Sequence, residues 1–141
     1  MDDSPVAYGL PHREPFVFVD RVLSANPGQA AACVKVFATS EPFFRGHFPG
    51  DPLVPGVILT EALAQTAGIA AGRPENGAPY RLSAIRQMKF LKPVRPGDEI
   101  VLMAEKTAAI GGMLQFAVTA RVGGQPVAEG VIVLSAGTPP A

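Results

Sequence analysis

The chain is poor in the residues on which several common kinds of site depend. Its 141 residues include one cysteine, Cys33, two histidines, His12 and His47, and no tryptophan. A single cysteine excludes an internal disulfide and the usual thiolate zinc sites, and we expect it to be buried and inert. Two histidines far apart, without ligand spacing, argue against metal catalysis. The sequence has no Gly-x-Gly-x-x-Gly motif and no phosphate-binding loop, so we expect no metal and no cofactor.

Charge is sparse and balanced. Only 17% of the residues are charged, and 12 basic side chains match 12 acidic ones, so bulk electrostatics do not favour nucleic acid as a partner. The N-terminus carries Asp2 and Asp3 instead of a basic region, and no apolar region follows, which predicts no signal peptide. The longest apolar run, 53–71, contains Pro55, Glu61 and Gln65, and so predicts a buried helix better than a membrane span. We therefore expect a cytoplasmic protein with neither a nucleic-acid nor a membrane partner.

Hydrophobic residues are abundant at 48%, and 15 prolines and 15 glycines divide them into short runs. Their patterns predict a single domain, 1–141, of the α+β class, with a Pro/Gly-rich loop over 40–55, a second loop over 75–79 and a frayed tail from Ala136. Gly-Gly pairs at 111–112 and 123–124 predict hairpin turns. The element order excludes a doubly wound sheet. The predicted helix covers 57–71, and the predicted strands cover 16–23, 29–39, 80–91, 99–108, 113–122 and 125–135.

A helix that is apolar all round must be covered on every side. An antiparallel sheet of about six strands can wrap one flank of this helix. We expect the other flank to need a second copy of the chain, which predicts a dimer at least.

The predicted helix carries one carboxylate among apolar neighbours. Burying Glu61 there is costly without a partner or a purpose, and an apolar setting favours the protonated acid, which can donate a proton. Gln65 lies four residues on, on the same helix face, where its amide could orient that carboxyl. The alternative is that Glu61 caps or pairs at a subunit interface.

Two further features precede the helix. His47 lies in the stiff Pro/Gly loop, and imidazole is the usual base near neutral pH. Gly56 stands at the helix start, where a free backbone N–H could bind a carbonyl oxygen. The alternatives are that His47 is an ordinary surface or core histidine and that Gly56 only begins the helix after Pro55. A base, an acid and an oxyanion donor fit removal of a proton α to a carbonyl with loss of a β-hydroxyl, and no Gly-x-Ser-x-Gly elbow suggests covalent catalysis instead.

Other polar residues have less specific interpretations. His12 fits a structural or surface role. The basic cluster, defined as Arg86, Lys89, Lys92 and Arg95, is either a solvated strand face or a docking patch for an acidic partner.

These residues lie in segments that together resemble the (3R)-hydroxyacyl-[acyl carrier protein] dehydratases of the hot-dog fold. The resemblance implies that His47 and Glu61 are the catalytic pair. The related dehydratase/isomerase branch has an aspartate where Glu61 stands, which argues against membership of that branch. Arg86-Gln87 departs from the Asp-Lys of many members, which leaves acyl-chain length and carrier docking open. The segments are 10–16 with 19–22, 41–50, 55–57 with 61–65, and 89–94 with 96–98.

The same resemblance implies a fold and an assembly. The sheet would wrap one long helix, and His47 and Glu61 would meet across a dimer interface, giving two sites per dimer and leaving a trimer of dimers open. The phosphopantetheine arm of acyl carrier protein would enter near the basic cluster. Two other functions stay open: a hot-dog acyl thioesterase and a non-catalytic acyl-binding subunit. The acyl chain would occupy an apolar tunnel lined by Phe48, Pro49, Val57, Leu59, Leu63, Ile85 and Phe90.

Overall fold

One six-stranded antiparallel sheet and one long helix form the regular structure of residues 2–74 and 77–137, which the computed structural model describes. Two short 3-10 turns, Val6–Tyr8 and Pro42–Arg45, lie in the segments before the helix. The helix α1 spans Gly56–Ala71, and the strands are β1 Arg21–Asn26, β2 Ala30–Val36, β3 Tyr80–Phe90, β4 Glu99–Ile110, β5 Met113–Val122 and β6 Gln125–Ala136.

The strand order is β1-β2-β4-β5-β6-β3, so β1 and β3 are the edges of the sheet. The hairpins β4–β5 and β5–β6 turn at the two predicted Gly-Gly pairs. Gly123 and Gly124 both have positive φ, 59° and 79°, as the tight turn that suits the twist of a hairpin requires. β3 comes directly after α1 in sequence but pairs with the last strand, which leaves its other edge open.

The core lies between α1 and one face of the sheet. On β4, Ile100, Leu102 and Ala104 are buried and alternate with more exposed residues, as expected for a strand with one covered face. The helix supplies apolar residues and two threonines. Thr60 donates to the Gly56 carbonyl oxygen at 2.8 Å, and Thr66 donates to that of Ala62 at 3.0 Å, so both hydroxyls are satisfied within the helix.

Cys33 lies in this core on β2 and is fully buried, as predicted. Burial raises the pKa of its thiol to about 11, and a hydrogen bond with Thr66 acts in the opposite direction. The group therefore stays neutral near pH 7, which agrees with an inert role.

The N-terminal segment covers the other flank of the helix. Leu10, Phe18 and Val19 belong to the same buried cluster as the helix residues, and ten residues of α1 are buried within one chain. A second chain is therefore not needed to cover most of the helix, and the argument for a dimer from helix coverage is wrong. Dimerisation itself stays a prediction.

The predicted strand over 16–23 is wrong in its first half. Phe16 lies in a bend, residues 17–20 belong to no strand or helix, and β1 begins at Arg21. Aromatic and β-branched residues favour strands, but two backbone groups of this segment form their hydrogen bonds with a side chain. The Phe18 N–H and the Phe16 carbonyl bind the side chain of Gln65 instead of a neighbouring strand.

The other boundaries move by a few residues. β2 ends at Val36 instead of 39, while α1 begins one residue earlier than predicted and β4 continues to Ile110. Ala136 is not frayed, because it ends β6 and donates its N–H to the Gly112 carbonyl oxygen at 2.7 Å. Residues 75 and 76 of the predicted loop and the tail after 137 lie outside the described residues. Within the described ranges, no helix combines the length and apolar character that crossing a membrane requires.

A glycine on β6 tests the packing of the β3 edge. A Cβ added at Gly130 would lie 2.1 Å from the Gln87 carbonyl oxygen and 2.4 Å from the Met88 sulfur, so Gly130→Ala must push β3 away. We expect it to lower the free energy of unfolding by about 2 kcal/mol or more, measured by urea denaturation. Gly68→Ala is the matched control, since a Cβ there meets nothing within 4 Å and the helix should gain about 0.5–1 kcal/mol. Equal stability of the two variants would contradict this packing.

Candidate active site

Glu61 is held by the amide of Gln65, one turn further along α1. The Gln65 Nε2 donates to Glu61 Oε2 at 3.0 Å and to the Phe16 carbonyl oxygen at 3.1 Å, while its Oε1 accepts from the Phe18 N–H at 2.9 Å. Gln65 is only 1% exposed, so its amide depends on these protein partners. Only this orientation of the amide satisfies all three hydrogen bonds. The amide therefore fixes the position of the carboxyl.

A histidine from the N-terminal segment also contacts this carboxyl. His12 Nε2 lies 3.5 Å from Glu61 Oε2, so the structural or surface role that the sequence favoured for His12 is incomplete. Periodicity could not have revealed the contact, because the two residues are far apart in sequence and lie in unrelated elements. Only the similarity of segment 10–16 to a known family could have marked His12.

Glu61, Gln65 and His12 line one cavity of about 320 Å³. Its other walls are largely apolar or small residues, and the first three residues of β3 form one side. An elongated apolar group could lie against such walls. The remaining lining residues are Gly9, Leu10, Pro11, Ala64, Gly68, Gly72, Pro74, Pro79, Tyr80, Arg81, Leu82 and Leu134.

His47 lies in the loop between the second 3-10 turn and α1. Its Nδ1 is 3.1 Å from the Leu53 carbonyl oxygen, and because a carbonyl oxygen only accepts, Nδ1 carries the proton and donates. The Leu53 N–H in turn donates to the His47 carbonyl oxygen at 2.9 Å. The ring also stacks on Phe48, with centroids 4.3 Å apart. In the neutral ring, Nε2 then carries a lone pair, and this is the form of imidazole that acts as a base.

A second cavity of about 320 Å³ contains His47 and Gly56. Gly56 is the first residue of α1, so its N–H has no acceptor within the helix. A Cβ at this position would lie 3.0 Å from the Phe90 ring, so only glycine fits without displacing that ring. The other lining residues are Leu53, Val54, Leu59, Phe90, Leu91, Lys92, Pro93 and Val94.

The two cavities share no lining residue. Gly56 and Glu61 are five residues apart on one helix, which separates them by about 140° around its axis. One chain therefore brings His47 together with Gly56, and Glu61 together with Gln65 and His12, but it does not bring His47 to Glu61.

The predicted tunnel residues fall into two groups. Leu59 and Leu63 are almost completely buried in the core, and only Leu59 of the two contributes to the His47 cavity. The other five are exposed on the single chain: Phe48, Pro49, Val57, Ile85 and Phe90.

A family model described as a FabA-like domain matches residues 10–131. The chain belongs to the FabA-like family. It is 42% identical to the 3-hydroxyacyl-[acyl-carrier-protein] dehydratase FabZ of Thiobacillus denitrificans over 134 residues, which cover 92% of each chain. The predicted membership and hot-dog fold are confirmed, and this FabA-like chain is a hydro-lyase by family.

Solved structures agree on the fold. The dehydratase heterocomplex ApeI:P of Xenorhabdus doucetiae matches with a TM-score of 0.59 and 27% identity, over 77% of this chain and 88% of that one. Zebrafish thioesterase superfamily member 2 matches with a TM-score of 0.64 over 83% of this chain and 80% of its own, at 17% identity. The fold alone thus does not separate a dehydratase from a thioesterase.

The basic cluster of this FabA-like chain is exposed but partly paired. Lys92 contacts the Gln125 side chain, and Arg95 forms an ion pair with Asp51. Arg86 and Lys89 stand on β3, and Lys92 lines the His47 cavity.

Within the described ranges, no group of three or more His, Cys, Asp or Glu side chains could hold a metal ion.

Replacing Gln65 tests the central hydrogen bonds of this site. Gln65→Leu leaves the Phe18 N–H without its buried acceptor and Glu61 without its amide donor. We expect the free energy of unfolding to fall by about 1–3 kcal/mol, measured by urea denaturation. Gln29→Leu is the matched control, because Gln29 makes one exposed hydrogen bond of 3.3 Å to the Lys106 carbonyl oxygen and its loss should cost less than about 0.5 kcal/mol. An equally small effect at Gln65 would contradict the role given to its amide.

Proposed function

We propose that this chain removes water from (3R)-3-hydroxyacyl thioesters on acyl carrier protein, giving trans-2-enoyl thioesters in fatty acid, or related acyl or polyketide, biosynthesis. The observation that carries the proposal is that one side chain is arranged to accept a proton and another to donate one. His47 contacts the Leu53 carbonyl oxygen through Nδ1, which in the neutral ring leaves a lone pair on Nε2, and Glu61 is a carboxyl held by an amide donor. The relative from Thiobacillus denitrificans, similar over nearly its whole length, is named as an enzyme of this reaction.

The active site is proposed to form between two copies of the chain. β3 is an edge strand whose residues are mostly exposed. Its first residues, Tyr80 to Leu82, line the Glu61 cavity, and its last residue, Phe90, lines the His47 cavity. If two β3 edges pair antiparallel about a two-fold axis, the end of one strand lies beside the start of the other. The His47 cavity of one chain then faces the Glu61 cavity of its partner, twice per dimer.

In the proposed mechanism, the thioester carbonyl oxygen accepts from the Gly56 N–H. His47 Nε2 takes the proton from Cα, and the electron pair of that C–H bond forms the new double bond. The Cβ–O bond breaks as the partner's Glu61 protonates the hydroxyl, which leaves as water. Solvent carries the proton from His47 back to Glu61 for the next cycle. Gln65 holds the acid throughout.

The remaining assignments are proposals of the same kind. Lys92 lines the His47 cavity, and Lys89 directly precedes Phe90, which lines it too, so an acidic carrier protein docked there could pass its phosphopantetheine arm to Gly56. Arg86 stands further from this cavity on β3. In the proposed dimer, the exposed side chains of Phe48, Val57, Ile85 and Phe90 would wall the acyl tunnel. We also propose a cytoplasmic location.

Enoyl-thioester absorbance tests the reaction. We expect the wild-type chain to consume the absorbance of a crotonyl or longer enoyl thioester by hydration, and His47→Ala and Glu61→Gln each to lose about 10²–10⁴-fold in kcat. Glu105→Gln, at an exposed carboxylate on β4, is the control and should retain activity. Release of free thiol would identify a thioesterase, and tight acyl-carrier binding without turnover would identify a binding subunit.

Mixing the two inactive variants tests the shared site. A mixed dimer of His47→Ala and Glu61→Gln has one intact site and one doubly altered site. Random exchange of chains should therefore restore about a quarter of the wild-type activity. Sites contained within one chain would show no restoration after mixing. Sedimentation analysis of the same samples reports whether the chains are dimeric.

A further inference from the structure

We propose that His12 is a positioning residue that holds the Glu61 carboxyl through its Nε2–H and stabilises the carboxylate formed when Glu61 releases a proton. The role in turnover depends on the dehydratase function proposed above. The contact itself does not, because it is a property of the folded chain.

Both observed contacts of the carboxyl fall on the same oxygen. Gln65 Nε2 lies 3.0 Å from Glu61 Oε2, and His12 Nε2 lies 3.5 Å from it. An amide N–H can only donate, so Oε2 acts as an acceptor and the acidic proton belongs on Oε1. Oε1 has no partner among the described residues and is the oxygen available to a substrate hydroxyl.

The protonation of His12 follows from its surroundings. Its Nδ1 is buried and has no partner among the residues that the structure describes. A proton placed on Nδ1 would be a buried donor without an acceptor, whereas a proton on Nε2 faces the accepting oxygen of the Glu61 carboxyl, Oε2. The geometry therefore favours the Nε2–H tautomer.

The backbone around His12 is fixed by its own contacts. Arg13 donates to the carbonyl oxygens of Leu10 and His12 at 2.9 and 2.8 Å, and the Phe16 ring stacks on the imidazole with centroids 6.2 Å apart. Arg81 lines the same cavity but forms no ion pair with Glu61 within the described ranges. His12 is thus placed to respond to the charge on Glu61.

The 3.5 Å separation is long for a hydrogen bond, which suits the proposed role. While Glu61 is protonated, the carboxyl is neutral and His12 gains little from a closer approach. When the proton leaves, the new negative charge attracts the Nε2–H and the contact shortens. The stabilisation then acts mainly on the reacting state and not on substrate binding.

Enzyme kinetics on the full chain test this role. We expect His12→Leu to lower kcat roughly tenfold to a hundredfold with little change in KM, and His12→Gln, whose amide N–H reaches about the position of Nε2, to recover part of the loss. In a Glu61→Gln background, His12→Leu should cause no further loss, because the two side chains act as one unit. Glu14→Gln, an exposed neighbour in the same segment, is the control and should behave as wild type.

A second measurement needs no turnover. Side-chain ¹⁵N NMR of the chain's two histidines, with His12 assigned through His12→Gln, should show the His12 proton on Nε2 and a shift of its signals in Glu61→Gln. The proposal would be overturned if the His12 proton lies on Nδ1, or if the His12 ¹⁵N signals do not change in Glu61→Gln.

The two experiments separate the two proposals. An inactive wild-type chain that shows the Glu61-dependent tautomer refutes the dehydratase function and supports the pairing. An active wild-type chain in which His12→Leu keeps full kcat, or loses kcat only in step with a lower melting temperature, refutes the positioning role.

Discussion

The buried amide of Gln65 is the interaction on which the rest of the structure depends. It joins α1 to the extended N-terminal segment through the Phe16 and Phe18 backbone, and it holds the one carboxyl of the helix. Because an amide has both donors and an acceptor, it can satisfy the Phe16 carbonyl and the Phe18 N–H, two backbone groups of opposite kind, with one side chain. The same group therefore closes the helix flank within one chain and fixes the position of Glu61.

The hydrogen-bond partners of His47 and Glu61 determine which of their atoms can accept or donate a proton. The Leu53 carbonyl oxygen forces the His47 proton onto Nδ1 and leaves a base at Nε2. The Gln65 N–H makes Glu61 Oε2 an acceptor and leaves Oε1 as the position for an acidic proton. Neither assignment needs a charged neighbour, so the polarity of the proposed proton transfers depends on neutral hydrogen bonds that ionic strength screens only weakly.

Local patterns determined much of this architecture. The apolar run that stops at Gly72 predicted α1 to within one residue, and the Gly-Gly pairs placed the β4–β5 and β5–β6 turns correctly. The pattern over 16–20 predicted the first half of a strand that does not form, because the hydrogen bonds of Phe16 and Phe18 go to a distant side chain and leave no periodicity. The contact between His12 and Glu61 was missed for the same reason. The failed argument for a dimer assumed that only sheets and second chains can cover a helix.

The span of β3 has a consequence for how this domain can vary. The strand begins at one cavity and ends at the other. In the proposed dimer, the length of β3 therefore sets the distance between the base His47 and the acid Glu61. Adding or removing one residue would turn every following side chain to the opposite face and offset the two ends. Substitutions along β3 can therefore change substrate preference while the site stays intact. Insertions and deletions within β3 should abolish activity and should not persist in evolution.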